Sequence, residues 1–451
     1  MPSVQKCFLL FADIYVQLTA MKNKETLQEK INHRKYHRPN KFLYSVLKNV
    51  VIDKILAPKY NIHYQINDDI NKEKGPCFLI FNHQSRIDYV WAVQATYPRR
   101  LNFVVGYNEF FRSHLKFILK IANAIPKKNF VIDLPSMRGI DSIIKQGGTI
   151  AFSPEGMSSI SGHNQPVVAG TGKFFKHYAI PIYLLKTEGA FLTNTKSCLD
   201  ERKGRIDAQL SKLFSSEDLK QLDADEIEAK VNKALTHDDY VWNEKEKVHY
   251  ETFNHICKDM EYICYKCPSC GAEFQMKGEG DRIYCKKCGC GAKVDDTYAL
   301  SPLTKDSKLP KNISNWFDLE RKDVYNEIKI NPHYEFKEQV KLGKLDPYKP
   351  LKNKKTSLVC GEGEFIIKHE GVSYNGTKDG TSYCFKLDYD ELNTFGMPTD
   401  TSYLSLYYDG QYFDIIPAHP TSIKMLLLVE EMHRLHVNRW KALPNESWIY
   451  D

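Results

Sequence analysis

Two groups of residues in this sequence have the types and spacing of working sites. In Asn82-His83-Gln84-Ser85-Arg86-Ile87-Asp88 a carboxylate stands five positions after an imidazole. With His83 on a loop and Asp88 one turn into the following helix, the carboxylate can return to the ring and fix its tautomer. It then stabilises the imidazolium formed when a proton is taken. That is two-thirds of a catalytic triad, with a substrate hydroxyl in place of serine. The bland alternative is a histidine that caps a helix beside an aspartate. Downstream, Phe152-Ser153-Pro154-Glu155-Gly156 offers a further carboxylate beside a glycine that permits a tight turn.

The second group is sulfur. Of twelve cysteines, six fall between Cys264 and Cys290. Cys267-Pro268-Ser269-Cys270 and Cys285-Lys286-Lys287-Cys288 each form a knuckle that turns two thiolates inward, and two knuckles complete a tetrahedral site for zinc. Protein fills all four positions, so this zinc is structural, with Cys264 and Cys290 close enough to be alternative ligands. Such clustering points to a metal site in a reducing compartment rather than a disulfide framework, and so to the cytoplasm. Some zinc ribbons bind nucleic acid or protein, and Lys266, Lys277, Arg282, Lys286, Lys287 and Lys293 could contact phosphates. Here Glu273, Glu279 and Asp281 dilute their field, which argues against nucleic acid as a partner.

Both groups need scaffolds. Residues 77–81 form a short apolar run of buried-strand type that ends at Asn82, and residues 89–95 continue as a helix, so the imidazole sits at a strand-to-helix junction. Strands at 101–105, 129–134, 149–152 and 180–185 alternate with helices at 115–124 and 140–145. This is the pattern of an α/β domain with a mostly parallel sheet, whose ligand sites gather at the carboxyl ends of strands. A charged helix at 217–235 ends that domain, and 302–311 reads as a linker. After a helix at 314–328, short alternating runs at 364–369, 382–387, 403–408 and 412–416 precede an amphipathic helix at 422–435. That order is an α+β unit similar to a pleckstrin-homology domain.

The expected divisions are a basic helical region at 1–60, the α/β domain at 61–240, the ribbon at 262–298 and the α+β domain at 311–451. A length of 451 residues requires several cores, and 42% hydrophobic with 26% charged residues is a globular composition. The net charge of +7 is concentrated in residues 21–59, where ten Lys and Arg face Glu25, Glu29 and Asp53. Such a segment is drawn to anionic surfaces. Residues 8–20 come nearest to a membrane span, but Asp13 and Gln17 interrupt them. Residues 41–57 read as a basic amphipathic helix with Leu43, Val46, Leu47, Val50 and Leu56 on one stripe. The stripe either packs on the following domain or lies in a membrane interface.

Taken together, the Asn82–Asp88 and Phe152–Gly156 motifs resemble those of the 1-acylglycerol-3-phosphate acyltransferase family, Asn-His-x4-Asp and Phe-Pro-Glu-Gly-Thr-Arg, over about residues 41–235. Gly106-Tyr107-Asn108-Glu109-Phe110-Phe111-Arg112 is similar to the family's second block, and Ala179-Ile180-Pro181-Ile182 to its fourth. The resemblance implies a peripheral enzyme of phospholipid biosynthesis at the inner membrane face. It moves an acyl group from acyl-CoA or acyl-carrier protein to a hydroxyl of a lysophospholipid or related glycerolipid. His83 and Asp88 would be catalytic, and Asn82, Arg112, Glu155, Gly156 and Ser158 would form the substrate site. One departure stands out. Met157-Ser158-Ser159 replaces Thr-Arg-Ser, so Ser158 occupies the place of an arginine that grips the acceptor phosphate, leaving Arg112, Arg138, Lys173 or Lys186 to compensate. The rival reading is a degenerate acyltransferase domain serving as a membrane- or protein-binding adaptor.

Overall fold

A computed structural model describes residues 25–252, 255–352 and 356–437; the apolar run at 8–20 lies outside them. The first domain is built on a seven-stranded sheet in the order β1-β7-β6-β2-β5-β3-β4. Its strands are β1 (Asn61–Ile66), β2 (Cys77–Phe81), β3 (Leu101–Gly106), β4 (Ile125–Lys127), β5 (Thr149–Phe152), β6 (Ile182–Glu188) and β7 (Arg205–Phe214). From β6 through β4 every neighbouring pair is parallel. β7 runs antiparallel to β6 and parallel to β1. The central position of β2 explains its sequence, because Cys77, Phe78, Leu79, Ile80 and Phe81 are buried on both faces and need no polar alternation.

Two local expectations fail for identifiable reasons. Residues 129–133 are a loop rather than a strand, and Leu134 opens the next helix. The Lys127 ammonium donates to the carbonyls of Lys128 and Val131, and the Asp133 side chain caps the helix Leu134–Lys145 by accepting from the Ser136 amide at 3.3 Å. Residues 217–235 are two helices, Ser216–Gln221 and Ala224–Leu235, because Asp223 starts the second through a reciprocal capping box with Glu226.

The basic helix runs from Lys41–Val46 through a π-helical stretch, Leu47–Leu56, to a 3₁₀ turn at Ala57–Lys59. Its apolar residues divide between two faces. Tyr44, Leu47 and Ile52 are buried, whereas Phe42, Leu43, Val46, Val50 and Ile55 are exposed, Phe42 by 73%. The stripe therefore packs only in part, since three of its five members face outward.

The ribbon is a four-stranded antiparallel sheet, β8 (Met276–Glu279), β9 (Arg282–Cys285), β10 (Gly291–Val294) and β11 (Leu300–Pro302). Its apolar side packs on Phe191, Leu192 and Tyr240 of the first domain. The C-terminal unit is a six-stranded antiparallel sheet in the order β15-β14-β13-β12-β17-β16. The strands are β12 (Glu335–Leu345), β13 (Ser357–Lys368), β14 (Gly371–Lys378), β15 (Thr381–Leu387), β16 (Leu404–Tyr408) and β17 (Gln411–Pro417). The helices Ile313–Ile330 and Ser422–His436 cover it and are tied together where the buried Arg321 guanidinium donates to Glu430 and Glu431, both at 2.7 Å. Met157 and Ile160 of the first domain belong to the same apolar cluster as this unit's core. The segment that departs from the Thr-Arg-Ser pattern is thus the segment on which the C-terminal unit docks.

Candidate active site

The site begins where β2 ends. Asn82 is fully buried and does not reach the cleft. Its side chain donates to the Thr187 carbonyl at 2.7 Å and accepts from the Thr187 amide at 2.8 Å, locking the end of β2 to β6. The chain then leaves the sheet, and His83 stands one-third exposed on the loop before the helix Asp88–Thr96. His83 Nδ1 lies 2.7 Å from Asp88 Oδ2. The Asp88 carboxylate also accepts from the Ser85 amide at 3.1 Å and from Trp91 Nε1 at 3.1 Å. Burial pushes the Asp88 carboxyl up from the ordinary range, while its bonds to His83, Ser85 and Trp91 pull it back toward the ionised form. With Nδ1 committed to Asp88, Nε2 is the ring nitrogen left to exchange a proton.

The second motif holds this loop from behind. Glu155 is fully buried; its carboxylate accepts from the His83 amide at 2.5 Å, the Gln165 amide at 2.7 Å and the Ser153 hydroxyl at 3.1 Å. Burial pushes this carboxyl up to about 7, against the pull of three converging donors. The Ser159 amide donates to the His83 carbonyl at 2.7 Å, so both backbone groups of His83 are fixed by residues 155–159. Glu155 thus positions the histidine, and a substrate would not touch it. Gly156, by contrast, lines the cleft with φ +72°, and a Cβ there would come within 3.0 Å of Val168 and 3.1 Å of Phe130.

His83, Gly156 and Ser158 open on a cleft of about 2490 Å³ between the first domain and the C-terminal unit. Apolar Leu47, Ile52, Phe103 and Ile118 line one part of it, and Thr356, Asp400, Tyr403 and Tyr407 another. Arg112 also borders the cleft, but its guanidinium is engaged. It pairs with Glu109 at 3.4 Å and donates to Thr356 at 2.8 Å and Tyr403 at 3.1 Å. It therefore fastens the C-terminal unit instead of presenting an open fork. Lys186 is likewise occupied, donating to the Thr236 carbonyl at 2.9 Å. The cation that reaches Ser158 is Lys196, whose Nζ donates to Ser158 Oγ at 2.9 Å. It lies in a loop without motif or periodicity, and only tertiary contact brings it there.

The sulfur atoms of Cys267, Cys270, Cys285 and Cys288 all lie within 4.8 Å of one another. Each knuckle ends in a glycine with positive φ, Gly271 at +71° and Gly289 at +75°. Their amides return to the Cys267 and Cys285 carbonyls, closing both turns. Four thiol sulfurs so gathered could hold a metal ion. Cys264 and Cys290 stay outside this group; Cys290 Sγ accepts from the Thr304 hydroxyl at 3.7 Å. Several basic residues of the ribbon are paired locally, Lys277 with Glu261 and both Arg282 and Lys293 with Asp281.

A mostly parallel sheet thus carries the His83/Asp88 pair at the carboxyl end of β2, at the edge of a large cleft. The acyltransferase family model matches residues 61–184. Among solved structures, the 1-acyl-sn-glycerophosphate (LPA) acyltransferase PlsC from Thermotoga maritima is similar over 39% of this chain and 71% of that one, with 15% identity and a TM-score of 0.31. No curated protein matches the chain.

Proposed function

We propose that the protein is an O-acyltransferase that moves a fatty acyl group from acyl-CoA or acyl-carrier protein to a hydroxyl of a lysophospholipid or related glycerolipid. The observation that carries this reading is the 2.7 Å contact of His83 Nδ1 with Asp88 Oδ2 at the edge of a cleft large enough for lipid. Nε2 of His83 takes the acceptor's hydroxyl proton as the oxygen attacks the thioester carbonyl. The C–O bond forms, the C–S bond breaks, and the departing thiolate recovers the proton from the imidazolium. Asp88 stabilises that imidazolium without itself being protonated.

Peripheral binding at the inner membrane face fits the same frame. Tyr44, Leu47 and Ile52 of the basic helix line the cleft, while Phe42, Leu43, Val46 and Val50 face outward beside Lys41 and Lys54. A lipid leaving the interface would meet the cleft across one helix. Among the described residues, no helix is long and apolar enough to cross a membrane. Zinc held by the four cysteines fits the fold as a structural ion remote from the chemistry, and the clustered thiols suit the reducing cytoplasm.

The deciding experiment measures thiol release from acyl-CoA with a panel of lysophospholipid acceptors, comparing wild type with His83→Ala and Asp88→Asn. Release that depends on His83 is expected. If every acceptor gives only the His83→Ala background, the adaptor reading replaces this one.

A further inference from the structure

Three large apolar side chains stand in water on the β4 side of the sheet. Phe117, on the helix Lys116–Ile121, is 70% exposed. Ile132, on the loop after β4, is 92% exposed, and Leu134, which opens the helix Leu134–Lys145, is 63% exposed. β4 ends the sheet and has only three residues, so the helix that leads into it and the loop that leaves it belong to one edge of the domain. Both also reach the cleft. Ile118 and Leu119 line it from the helix, and Val131 and Ile132 from the loop.

Cations accompany this apolar set. Lys116 and Lys120 lie on the same short helix as Phe117, and Arg138 follows Leu134 by one turn. All three are exposed, and among the described residues none of them is in an ion pair. Between Ser113 and Arg138 the sole acidic residue is Asp133, which is buried and accepts from the Lys128 and Ser136 amides. No carboxylate of this stretch therefore offsets the three exposed cations. A single exposed leucine needs no explanation, but apolar residues that gather beside unpaired cations at the rim of a cleft do. A protein partner fits them poorly, because lysine is depleted at the centres of protein interfaces. An anionic bilayer fits them well, since apolar side chains enter the acyl region while long basic stems reach the head groups. The basic helix repeats the arrangement. Its Leu47 and Ile52 line the cleft, while Phe42, Val46 and Val50 face outward and Lys41 and Lys54 are exposed.

We propose that Phe117, Ile132 and Leu134, with Lys116, Lys120 and Arg138, form a second membrane-binding edge that inserts into an anionic phospholipid surface. This edge rests on the peripheral binding proposed for the basic helix, and not on the chemistry at His83. Each inserted element also lines the cleft, so an acyl chain can pass from bilayer to cleft along protein surface rather than through water.

The test uses the full chain and sedimentation with vesicles of phosphatidylcholine, alone or mixed with phosphatidylglycerol. Phe117→Glu combined with Ile132→Glu should weaken binding to the mixed vesicles at least fivefold while Tm stays within about 2 °C, because both side chains are exposed. Lys116→Gln combined with Lys120→Gln should weaken it at least threefold, with the loss shrinking as salt screens the surface charge. Phe117→Trp should add fluorescence that brominated lipid quenches. Vesicle binding unchanged by the glutamate pair, or added fluorescence that brominated lipid leaves untouched, would overturn the second edge. So would a self-association of wild type, seen in sedimentation velocity without lipid, that the glutamate pair abolishes. Wild type that binds neither kind of vesicle sinks the peripheral reading itself. Binding lost with Val46→Glu and Val50→Glu but kept with Phe117→Glu and Ile132→Glu leaves that reading standing and removes only the second edge.

Discussion

Asp88 Oδ2 lies 2.7 Å from His83 Nδ1, and the Ser85 amide and Trp91 indole N–H donate to the same carboxylate. Every neighbour of that carboxylate is a donor. An asparagine placed there would have to point its NH₂ at one of them, and the histidine would lose the acceptor that fixes its tautomer. Asp88→Asn is expected to lower kcat by about 10³ to 10⁴ while leaving KM within a few-fold, the pattern of an interaction made in the transition state. Combining it with His83→Ala should cost little beyond the single histidine change, because the two residues act as one unit. Steady-state rates on the four proteins of that cycle check both statements.

The dyad was legible because its partners are local: the strand 77–81, the loop and the helix all lie within one stretch of chain. The cysteine spacing was legible for the same reason. Less was visible where partners are distant. Arg112 donates to Thr356, 244 positions away, and nothing around Gly106–Arg112 foretells that a separate unit captures the guanidinium. β7 alternates buried Ile206, Ala208 and Leu210 with polar residues, a period of two that can be read as a strand, yet its charged residues mask the signal. β12 hides in the same way, with Glu338 buried on its inward face beside Val340 and Leu342. There Glu338 is accommodated by hydrogen bonds from Thr421 and His419, which only the fold supplies. The burial of Asn82 and Glu155 is likewise set by distant partners: Asn82 bonds to Thr187, 105 positions away, and Glu155 accepts from the His83 amide, 72 positions away.

The four ribbon cysteines define a prediction about metal. Cys267 and Cys285 are buried in the apolar cluster that joins the ribbon to Phe191, Leu192 and Tyr240, so an ion at their sulfurs staples that cluster. Metal analysis of protein purified without chelator should find about one zinc per chain. Cys285→Ser or exhaustive chelation should lower Tm by several degrees or abolish the cooperative transition, since metal-binding energy is folding energy in such sites. Cobalt substitution should give the intense near-ultraviolet thiolate bands of a four-sulfur site. Cys264→Ser, outside the cluster, should leave those bands unchanged.

The outward face of the basic helix makes a separate prediction. Val46 and Val50 are 42% and 45% exposed, one turn apart, and contribute little to the core. Replacing both with glutamate should leave Tm within about 2 °C, because surface changes away from special features rarely exceed about 0.5 kcal/mol. It should nevertheless weaken sedimentation with vesicles containing phosphatidylglycerol at least fivefold, by removing inserted apolar area and adding charge that the anionic surface repels. Unchanged vesicle binding would leave this helix without a membrane role.

Lys196 ties stability to pH in a direction set by its burial. The folded ammonium is lowered to about 7, against about 10.4 in an unfolded chain. Below pH 7 both states hold the proton, and the folded state bears the full cost of a buried charge. Between pH 7 and about 10.4 the unfolded chain binds more protons than the folded one, so this group makes stability rise with pH. Lys196→Met removes the titration. The variant's advantage over wild type should therefore be greatest below pH 7 and shrink steadily toward pH 10, as read from paired denaturant unfolding curves. An advantage that does not change with pH would mean that the methionine gains by packing alone and that Lys196 keeps its proton in the folded protein.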